Sequence, residues 1–466
     1  MKPAPFTREA LLVLPPFGSF DAPYISLAVL AGHLKSCGIP VGVLNASAFL
    51  VKHYCTRSRL AAGIAAIHQS FSELNEKACL MPSEAAKLTV LYPLLSALNQ
   101  YGVERLPPGT ALQVAAFPAW PDCLVERPFV KLISDCSIFD SNDLVRAARK
   151  DYFFTELLRG ELRRSMAANT PLLVGITTVF YEQMPAALHC ARLIKELAPS
   201  AHVTMGGPFI TAHMEELNNP DFFDFVDTLI FDEGEIPLQR LYEALHAGAL
   251  DLEHIPGIMY LAGNTSITKN VSAPPPDMET LAFADYSSCS LDQYPIPLDA
   301  MRLTVRLSRG CYWKKCSFCR THVSFCQNYH QPSVDRLFSE LQHIVQTTGV
   351  KRFHFSDESS NPLVLEKLSR KMIESDLGLQ WSFHTRIDKL LTRENNPDTC
   401  LHDGGYTWGN RGRCRTILSN GPGLQKKRPH PRGGLFSFPT RTGKRYVATS
   451  RKISHSFSAI NPMPRS

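Results

Sequence analysis

The chain has 466 residues and a mass of 51.9 kDa, enough for two or three domains. Hydrophobic residues make up 44% and charged residues 20%, so composition excludes a disordered chain, a collagen and a coiled coil. No apolar stretch reaches the about 18 residues of a membrane span, and the first residues lack the apolar segment of a signal peptide. We therefore expect a cytoplasmic protein without a membrane partner.

The formal net charge of +6 is distributed unevenly along the sequence. Residues 395–466 contain 13 Lys and Arg but only two acidic residues, a net charge of +11. The preceding 394 residues hold the other 36 basic and 41 acidic residues, a net charge of −5. The average describes neither part, so it does not by itself indicate an acidic partner.

The chain begins with the pattern of a β-α-β unit. Apolar runs predict strands over 11–14 and 41–44, and leucines at helical spacing predict a helix over 25–35 between them. Residues 57–165 then show helical patterns on both sides of a loop-rich stretch at 105–140. We interpret this segment as a mostly helical insertion beside the sheet.

Strands alternate with helices again over 172–177, 202–205 and 226–231. Continuous apolar strands separated by helices are typical of a parallel sheet that is covered on both faces. Thr177, Gly206 and Gly207 stand at strand ends, where doubly wound folds bind their ligands. They are candidate cofactor-binding residues, although glycines at such positions can also serve only to turn the chain.

A second α/β region begins after a linker that starts with three prolines. Strands are predicted over 303–307, 350–355 and 380–385, with a helical pattern after each of the first two. Arg306 and Arg386 stand near the ends of these strands, where a cation can meet a carboxylate, although surface arginines are common. The regular pattern stops after the third strand.

Three cysteines follow the first strand of this region within nine residues: Cys311, Cys316 and Cys319. Three thiolates on one loop can hold three irons of a cubane [4Fe–4S] cluster and leave the fourth iron open to a substrate or cofactor. Zinc is an alternative, because His322 would complete a Cys3His ligand set. Buried structural cysteines are a further alternative.

The stretch 310–319 resembles the radical SAM superfamily, in which three cysteines hold a [4Fe–4S] cluster and S-adenosylmethionine chelates the fourth iron. Four residues separate the first two cysteines here, rather than the usual three. This spacing is similar to that of cobalamin-binding members linked to the maturation of ribosomally made peptides. The resemblance implies that Phe318 lies beside the adenine, and that Ser356, Asp357 and Glu358 receive the methionine amino group.

For the fold, the resemblance implies an α/β protein with a doubly wound, cobalamin-binding-like domain followed by a truncated radical SAM (β/α) partial barrel. The first domain covers 1–270, with the helical insertion at about 57–165. A linker at 271–300 leads to the first half of the barrel at 301–394. The cofactors implied are a [4Fe–4S] cluster, S-adenosylmethionine and cobalamin.

The same resemblance implies radical methylation or a related C–H functionalisation of a peptide or small-molecule substrate. An electron donor such as a flavodoxin or ferredoxin would be a partner. The sequence has no Asp-x-His-x-x-Gly motif, so we expect no cobalt-binding histidine from that source. No catalytic residue is named, because the radical itself is the reagent.

Residues 395–466 contain nine glycines and seven prolines and show no sustained helical or strand period. A barrel of six β/α units needs roughly 180 residues, about twice the patterned length. We hypothesise that residues from about 395 are read in another frame or replace the second half of the barrel. Translation of the gene in its other two frames past codon 394 tests this hypothesis.

Two other interpretations of the whole chain stay open. One is an inactive, truncated homologue that retains corrin binding. The other is a zinc-stabilised Cys3His module whose basic, aromatic-containing tail binds nucleic acid. We favour the radical SAM enzyme over both, and therefore do not expect a nucleic-acid partner.

Overall fold

Two mainly parallel sheets organise the part of the chain that the computed structural model describes, and all of that part belongs to one compact unit. The described residues are 9–18, 20, 22–119, 123–126, 129–132, 137, 139–167, 170–263, 265–316, 329–385, 399–402 and 405–408. The architecture is a mixed α/β fold with a parallel sheet, which confirms the α/β part of the predicted fold class, while the truncated partial barrel stays a prediction.

The elements that come before residue 170 occupy about a third of the chain. In chain order they are β1 (Ala10–Leu14), α1 (Ile25–Ser36), β2 (Val41–Asn45), α2 (Ala46–Tyr54), α3 (Arg57–Asn75), α4 (Pro82–Tyr101), α5 (Pro108–Ala116), β3 (Cys123–Glu126), β4 (Phe129–Leu132), α6 (Ser141–Ala148) and α7 (Thr155–Met166). The remaining elements are β5 (Leu173–Thr177), α8 (Met184–Leu197), β6 (His202–Gly206), α9 (Pro208–His213), β7 (Thr228–Ile230), α10 (Glu235–His246), β8 (Ile258–Ala262) and β9 (Ser266–Lys269).

The first sheet has the strand order β2-β1-β5-β6-β7-β8-β9, in which the first five strands are parallel. Without the insertion this order is the flavodoxin-like 2-1-3-4-5 arrangement of a doubly wound sheet. Leu11 and Val13 of β1 join the core under α2 and α8, while Leu12 and Leu14 join the core under α1 and α10. Strand β1 is buried along its whole length because helices cover both faces.

The insertion contains more structure than the sequence pattern indicated. Helices α3, α4 and α5 enclose a small core of their own. Helix α5 and the β3–β4 hairpin lie within the stretch that we predicted to be loop-rich. The helical pattern predicted after the loop-rich stretch is divided between α6 and α7, and the Thr155 hydroxyl at the start of α7 accepts the Tyr152 N–H at 2.7 Å.

The second sheet is built from β10 (Leu303–Val305), α11 (Val334–Thr348), β11 (Arg352–Phe355), α12 (Pro362–Glu374), β12 (Gln380–Phe383), β13 (Thr399–His402) and β14 (Gly405–Trp408). Strands β10, β11 and β12 are parallel neighbours, as predicted from the three β/α steps. Strands β14 and β13 then extend the sheet in antiparallel fashion. We expected no regular pattern from about residue 395, but two strands are present there. The backbone of β14 pairs with the open edge of β12, and β13 pairs with β14.

The predicted linker is packed against both sheets rather than spanning a gap between them. The Asp285 N–H donates to the Ala28 carbonyl of α1 at 2.8 Å, and the Asn45 amide donates to the Tyr294 hydroxyl at 2.6 Å. Tyr286 is fully buried in a core that α1 shares with β10. One continuous hydrophobic core therefore joins the two sheets.

No helix within the described ranges combines the length and apolar character needed to cross a bilayer. Residues 409–466 lie outside the described residues, so the hypothesis of a changed reading frame stays a prediction.

Candidate functional site

The carboxyl ends of strands from both sheets line one cavity of about 200 Å³. Strands β5, β6 and β7 end on one side of it, and β10 and β11 end on the other. The cavity brings together six of the residues that the sequence singled out: Thr177, Gly206, Gly207, Ser356, Asp357 and Glu358. Ligands of open parallel sheets bind at this edge.

The wall contributed by the first sheet depends on a close backbone approach at Gly207. This residue has a φ of +116°, and a Cβ placed on it would lie 2.3 Å from the carbonyl oxygen of Thr178. The Thr178 N–H in turn donates to the Gly206 carbonyl at 2.7 Å. The packing of β5 against β6 thus accounts for a glycine at 207, and its role in binding a cofactor stays a prediction.

Asp357 in the opposite wall holds the backbone that leads into the cysteine motif. Its carboxylate accepts the Leu307 N–H at 3.0 Å and the Ser308 hydroxyl at 2.5 Å. Burial raises the pKa of Asp357, although these two hydrogen bonds oppose the shift. Both oxygens are therefore already engaged, and the exposed Glu358 is the carboxylate of this motif that is better placed to meet an ammonium group.

Cys311 and Cys316 are free, partly exposed thiols, and Gly310 beside them lines the cavity. Thiols that are unpaired, accessible and close together on a loop fit a thiolate-bound metal group. Cys319, Phe318 and His322 lie outside the described residues, so the choice between a cluster and zinc stays a prediction.

A buried arginine that sequence reasoning gave no role joins the two walls of the cavity. Arg309 is 7% exposed; its Nη2 donates to Glu235 Oε1 at 2.5 Å, and its Nη1 contacts a Glu233 carboxylate oxygen. Glu235 is 3% exposed at its side chain, whereas Glu233 is 27% exposed and lines the cavity. The signal in the sequence was a pair of glutamates just after β7 with no cation beside them. Such a pair indicates a cationic partner from elsewhere in the chain.

Burial affects the pKa values of the two glutamates in this cluster differently. Burial raises the pKa of Glu233, which Arg309 only partly offsets. Burial acts in the same direction on Glu235, but the charge and hydrogen bonds of Arg309 outweigh it and lower the pKa of that carboxyl. Glu235 is therefore the permanently ionised partner of Arg309, and Glu233 is the partner whose charge depends more on its surroundings.

Arg306 lies in the cavity wall, as its place at a strand end suggested. Burial raises the pKa of Glu233 and of Asp357, and the charge of Arg306 acts to lower both. Burial raises the pKa of the neighbouring Tyr24, while Arg306 lowers it. Arg386 lies outside the described residues.

The cavity is smaller than the about 300–1,000 Å³ of typical small-molecule sites. The described walls therefore do not enclose a group as large as a corrin, which would have to extend outward along the sheet edge. No histidine lines the described cavity.

Comparison with known proteins finds no matching family model. The chain is 24% identical over 254 residues to an anaerobic magnesium-protoporphyrin IX monomethyl ester cyclase of Rubrivivax gelatinosus, a match that covers 52% of this chain and 44% of that protein. It is 31% identical over 144 residues to the uncharacterized methyltransferase sll1242 of Synechocystis sp., with 31% and 22% covered. The matches thus span less than half the length of either relative.

Among solved structures, the chain is similar to the cobalamin-dependent S-adenosylmethionine radical enzyme OxsB with aqua-cobalamin bound. That likeness has a TM-score of 0.47 and 14% identity, covering 83% of this chain and 40% of OxsB. It is also similar to the radical S-adenosylmethionine methyltransferase TsrM from Kitasatospora setae with cobalamin and a [4Fe–4S] cluster bound. Here the TM-score is 0.45 and the identity 14%, covering 79% of this chain and 53% of TsrM.

Proposed function

We propose that the chain is a radical SAM protein that binds a [4Fe–4S] cluster, S-adenosylmethionine and cobalamin, and carries out radical methylation or a related C–H functionalisation. The observation that carries this proposal is the cavity that is lined by strand ends of both sheets. A doubly wound sheet offers its ligand-binding edge to the same space into which the loop before Cys311 leads.

Each wall has a distinct task in this proposal. Cys311, Cys316 and Cys319 would hold the cluster, which when bound would supply the electron that cleaves S-adenosylmethionine into methionine and a 5′-deoxyadenosyl radical. Glu358 orients the methionine ammonium, and Asp357 holds the backbone of the cysteine loop through its two hydrogen bonds. A corrin would lie along the edge formed by Thr177 and Gly207 and would supply the methyl group.

The substrate is a peptide or a small molecule. The spacing of Cys311 and Cys316 supports a ribosomally made peptide, since it is similar to that of members linked to peptide maturation. The likeness to a cyclase supports ring closure as the alternative outcome, and the likeness to a methyltransferase supports methyl transfer. A flavodoxin or ferredoxin is the proposed electron donor, and the cytoplasm the proposed location.

Anaerobic reconstitution of the full chain with iron and sulfide tests the metal site. We expect about four irons and four sulfides per chain and a broad absorption band. Replacement of Cys311, Cys316 or Cys319 by alanine should abolish both, whereas the exposed Cys37→Ala serves as the matched control and should leave them unchanged. Tight zinc binding without a cluster would instead establish the zinc-stabilised module.

A second candidate is a homologue that binds a corrin without turnover. The second sheet favours it, because three parallel strands are followed by the antiparallel β14 and β13 rather than by further β/α units. Titration with hydroxocobalamin, together with an assay for 5′-deoxyadenosine, separates the two. Corrin binding without release of the nucleoside would support the inactive homologue.

A further inference from the structure

We propose that Arg309 is a positioning residue that fastens the cysteine loop to the ligand-binding edge of the first sheet. A ligand bound at that edge then also fixes the geometry of the thiols. The inference rests on the proposed function, since it concerns the loop that would hold the cluster. Beyond that function, Arg309 would couple the binding of a ligand at the first sheet to the geometry of the cysteine loop.

The backbone of Arg309 is held on the side of the second sheet, through a bridge to His330 and through its two preceding residues. Its N–H donates to the His330 carbonyl and its carbonyl accepts the His330 N–H, both at 2.9 Å, so the two residues bracket the cysteine segment. The two residues before it are held by Asp357 at 3.0 and 2.5 Å. A residue anchored in this way transmits a displacement of its side chain to the start of the loop.

The side chain of Arg309 points the other way, into the first sheet. Its guanidinium contacts both carboxylate oxygens of Glu235, at 2.5 and 3.3 Å, in the two-pronged geometry that only arginine provides. Glu235 is the first residue of α10, where the helix dipole favours a negative charge. This contact is therefore the fixed part of the bridge.

Glu233 is the part of the bridge that a ligand can reach. It contacts Arg309 with one oxygen and also lines the cavity, where its side chain is 27% exposed. A ligand at this edge that donates a hydrogen bond to the exposed part of Glu233 restrains the carboxylate in the position from which it contacts Arg309. Ligand binding thus strengthens the hold of Glu233 on Arg309, and by linkage an ordered cysteine loop strengthens ligand binding.

Hydrogen exchange of the full-length protein, measured in peptides that cover 310–316, tests this coupling. Hydroxocobalamin should slow exchange of these amides in the wild-type chain. In Arg309→Gln, and in Arg309→Lys, which keeps the charge but loses the fork, we expect this slowing to fall about 10-fold or more. Arg370→Lys is the matched control, because Arg370 forms an exposed pair with Glu366 on α12 and should behave as wild type.

A second readout uses the reconstituted protein. Hydroxocobalamin should shift the electron paramagnetic resonance signal of the reduced cluster in the wild type and in Arg370→Lys, but not in the Arg309 variants. Normal hydroxocobalamin binding with unchanged loop protection in Arg309→Lys would overturn the coupling alone. Failure of the wild type to bind hydroxocobalamin would contradict the proposed corrin site, and the coupling with it.

Discussion

The two sheets are assembled from the same β/α steps but differ in what covers their faces. In the first sheet β1 is buried at every position, because helices lie on both sides. In the second sheet β10 and β11 alternate: Phe353 and Phe355 are buried under α11 and α12, whereas His354 between them is only half-buried. A sheet with one apolar and one polar face has only half of its surface committed to the core.

The polar face of the second sheet carries groups that interact with one another. His354 contacts the Ser382 hydroxyl at 3.0 Å and lies 5.1 Å from the ring of His384. Burial lowers the pKa of His354 to about 4, with the nearby His384 and Arg302 acting in the same direction. The first sheet is therefore the more completely covered scaffold, and the second presents a polar face beside the core that the two sheets share.

The largest expected effect is a loss of stability from the scaffold. Leu12→Ala removes a side chain that is 1% exposed between β1 and its covering helices, so we expect a loss of about 2–5 kcal/mol in the free energy of unfolding. Thr304→Ala on the polar face of β10 should change it by less than about 0.5 kcal/mol. Urea denaturation measures both, and equal losses would refute the division between scaffold and polar face.

A smaller loss is expected at Gly207, where the carboxyl edge of the scaffold meets the cavity. An alanine there places its Cβ 2.3 Å from the Thr178 carbonyl oxygen, so we expect a loss of about 2–4 kcal/mol. Gly248→Ala is the control: it also has a positive φ, +66°, but no atom lies within 4 Å of its Cβ, so it should cost about 1–2 kcal/mol. A comparable loss in both variants would show that backbone conformation alone requires Gly207.

In the second sheet, Asp357→Asn should lower the free energy of unfolding by about 1–3 kcal/mol. The new amide group donates hydrogen bonds, but the Leu307 N–H and the Ser308 hydroxyl that it faces are donors as well. The cluster content after reconstitution should fall with it, as the loop loses its anchor. Glu358→Gln is the companion variant: its exposed side chain should leave the thermal midpoint unchanged while weakening binding of S-adenosylmethionine. If instead Asp357→Asn impaired only the binding of that ligand, Asp357 would be a ligand contact rather than a loop anchor.

The smallest effect is the contribution of His189, on α8 of the first sheet's cover, to the pH dependence of stability. Burial and the nearby Arg192 lower the pKa of His189 to about 4, whereas the unfolded chain titrates near 6.5. The unfolded state thus binds more protons between these values, so stability falls as the pH drops from about 6.5 to 4. His189→Gln should remove about 1 kcal/mol of this loss at pH 5.5, measured by thermal unfolding at pH 5.5 and 7.5. The exposed His254→Gln should leave the pH dependence unchanged, and an identical profile in both variants would exclude His189 as its source.

The sequence was sufficient for the parallel strands and for the residues that meet at their ends. Apolar runs located β1, β5 and β6, and parallel topology places the carboxyl ends of such strands at one edge. Helix α5 was missed because Pro107 and Pro108 suggested a loop, although a proline at the first helical position is compatible with a helix start.

The contacts that join the two sheets were not predictable from local patterns. Arg309 and Glu233 are 76 residues apart in sequence, and Asp285 of the linker lies 250 residues from its ion-pair partner Lys35. Such pairs depend on how completed elements pack, which local propensity does not encode. The same reason explains why the hydrogen bonds of Asp357 to the Leu307 N–H and the Ser308 hydroxyl were not predicted, while its role toward a ligand stays a prediction.

The most direct test of a radical SAM site between the two sheets is the cleavage of S-adenosylmethionine by the reconstituted full chain under a strong reductant. We predict release of 5′-deoxyadenosine by the wild type and by Cys37→Ala, and none by Cys311→Ala. A chain that assembles its cluster but releases no 5′-deoxyadenosine would contradict the account.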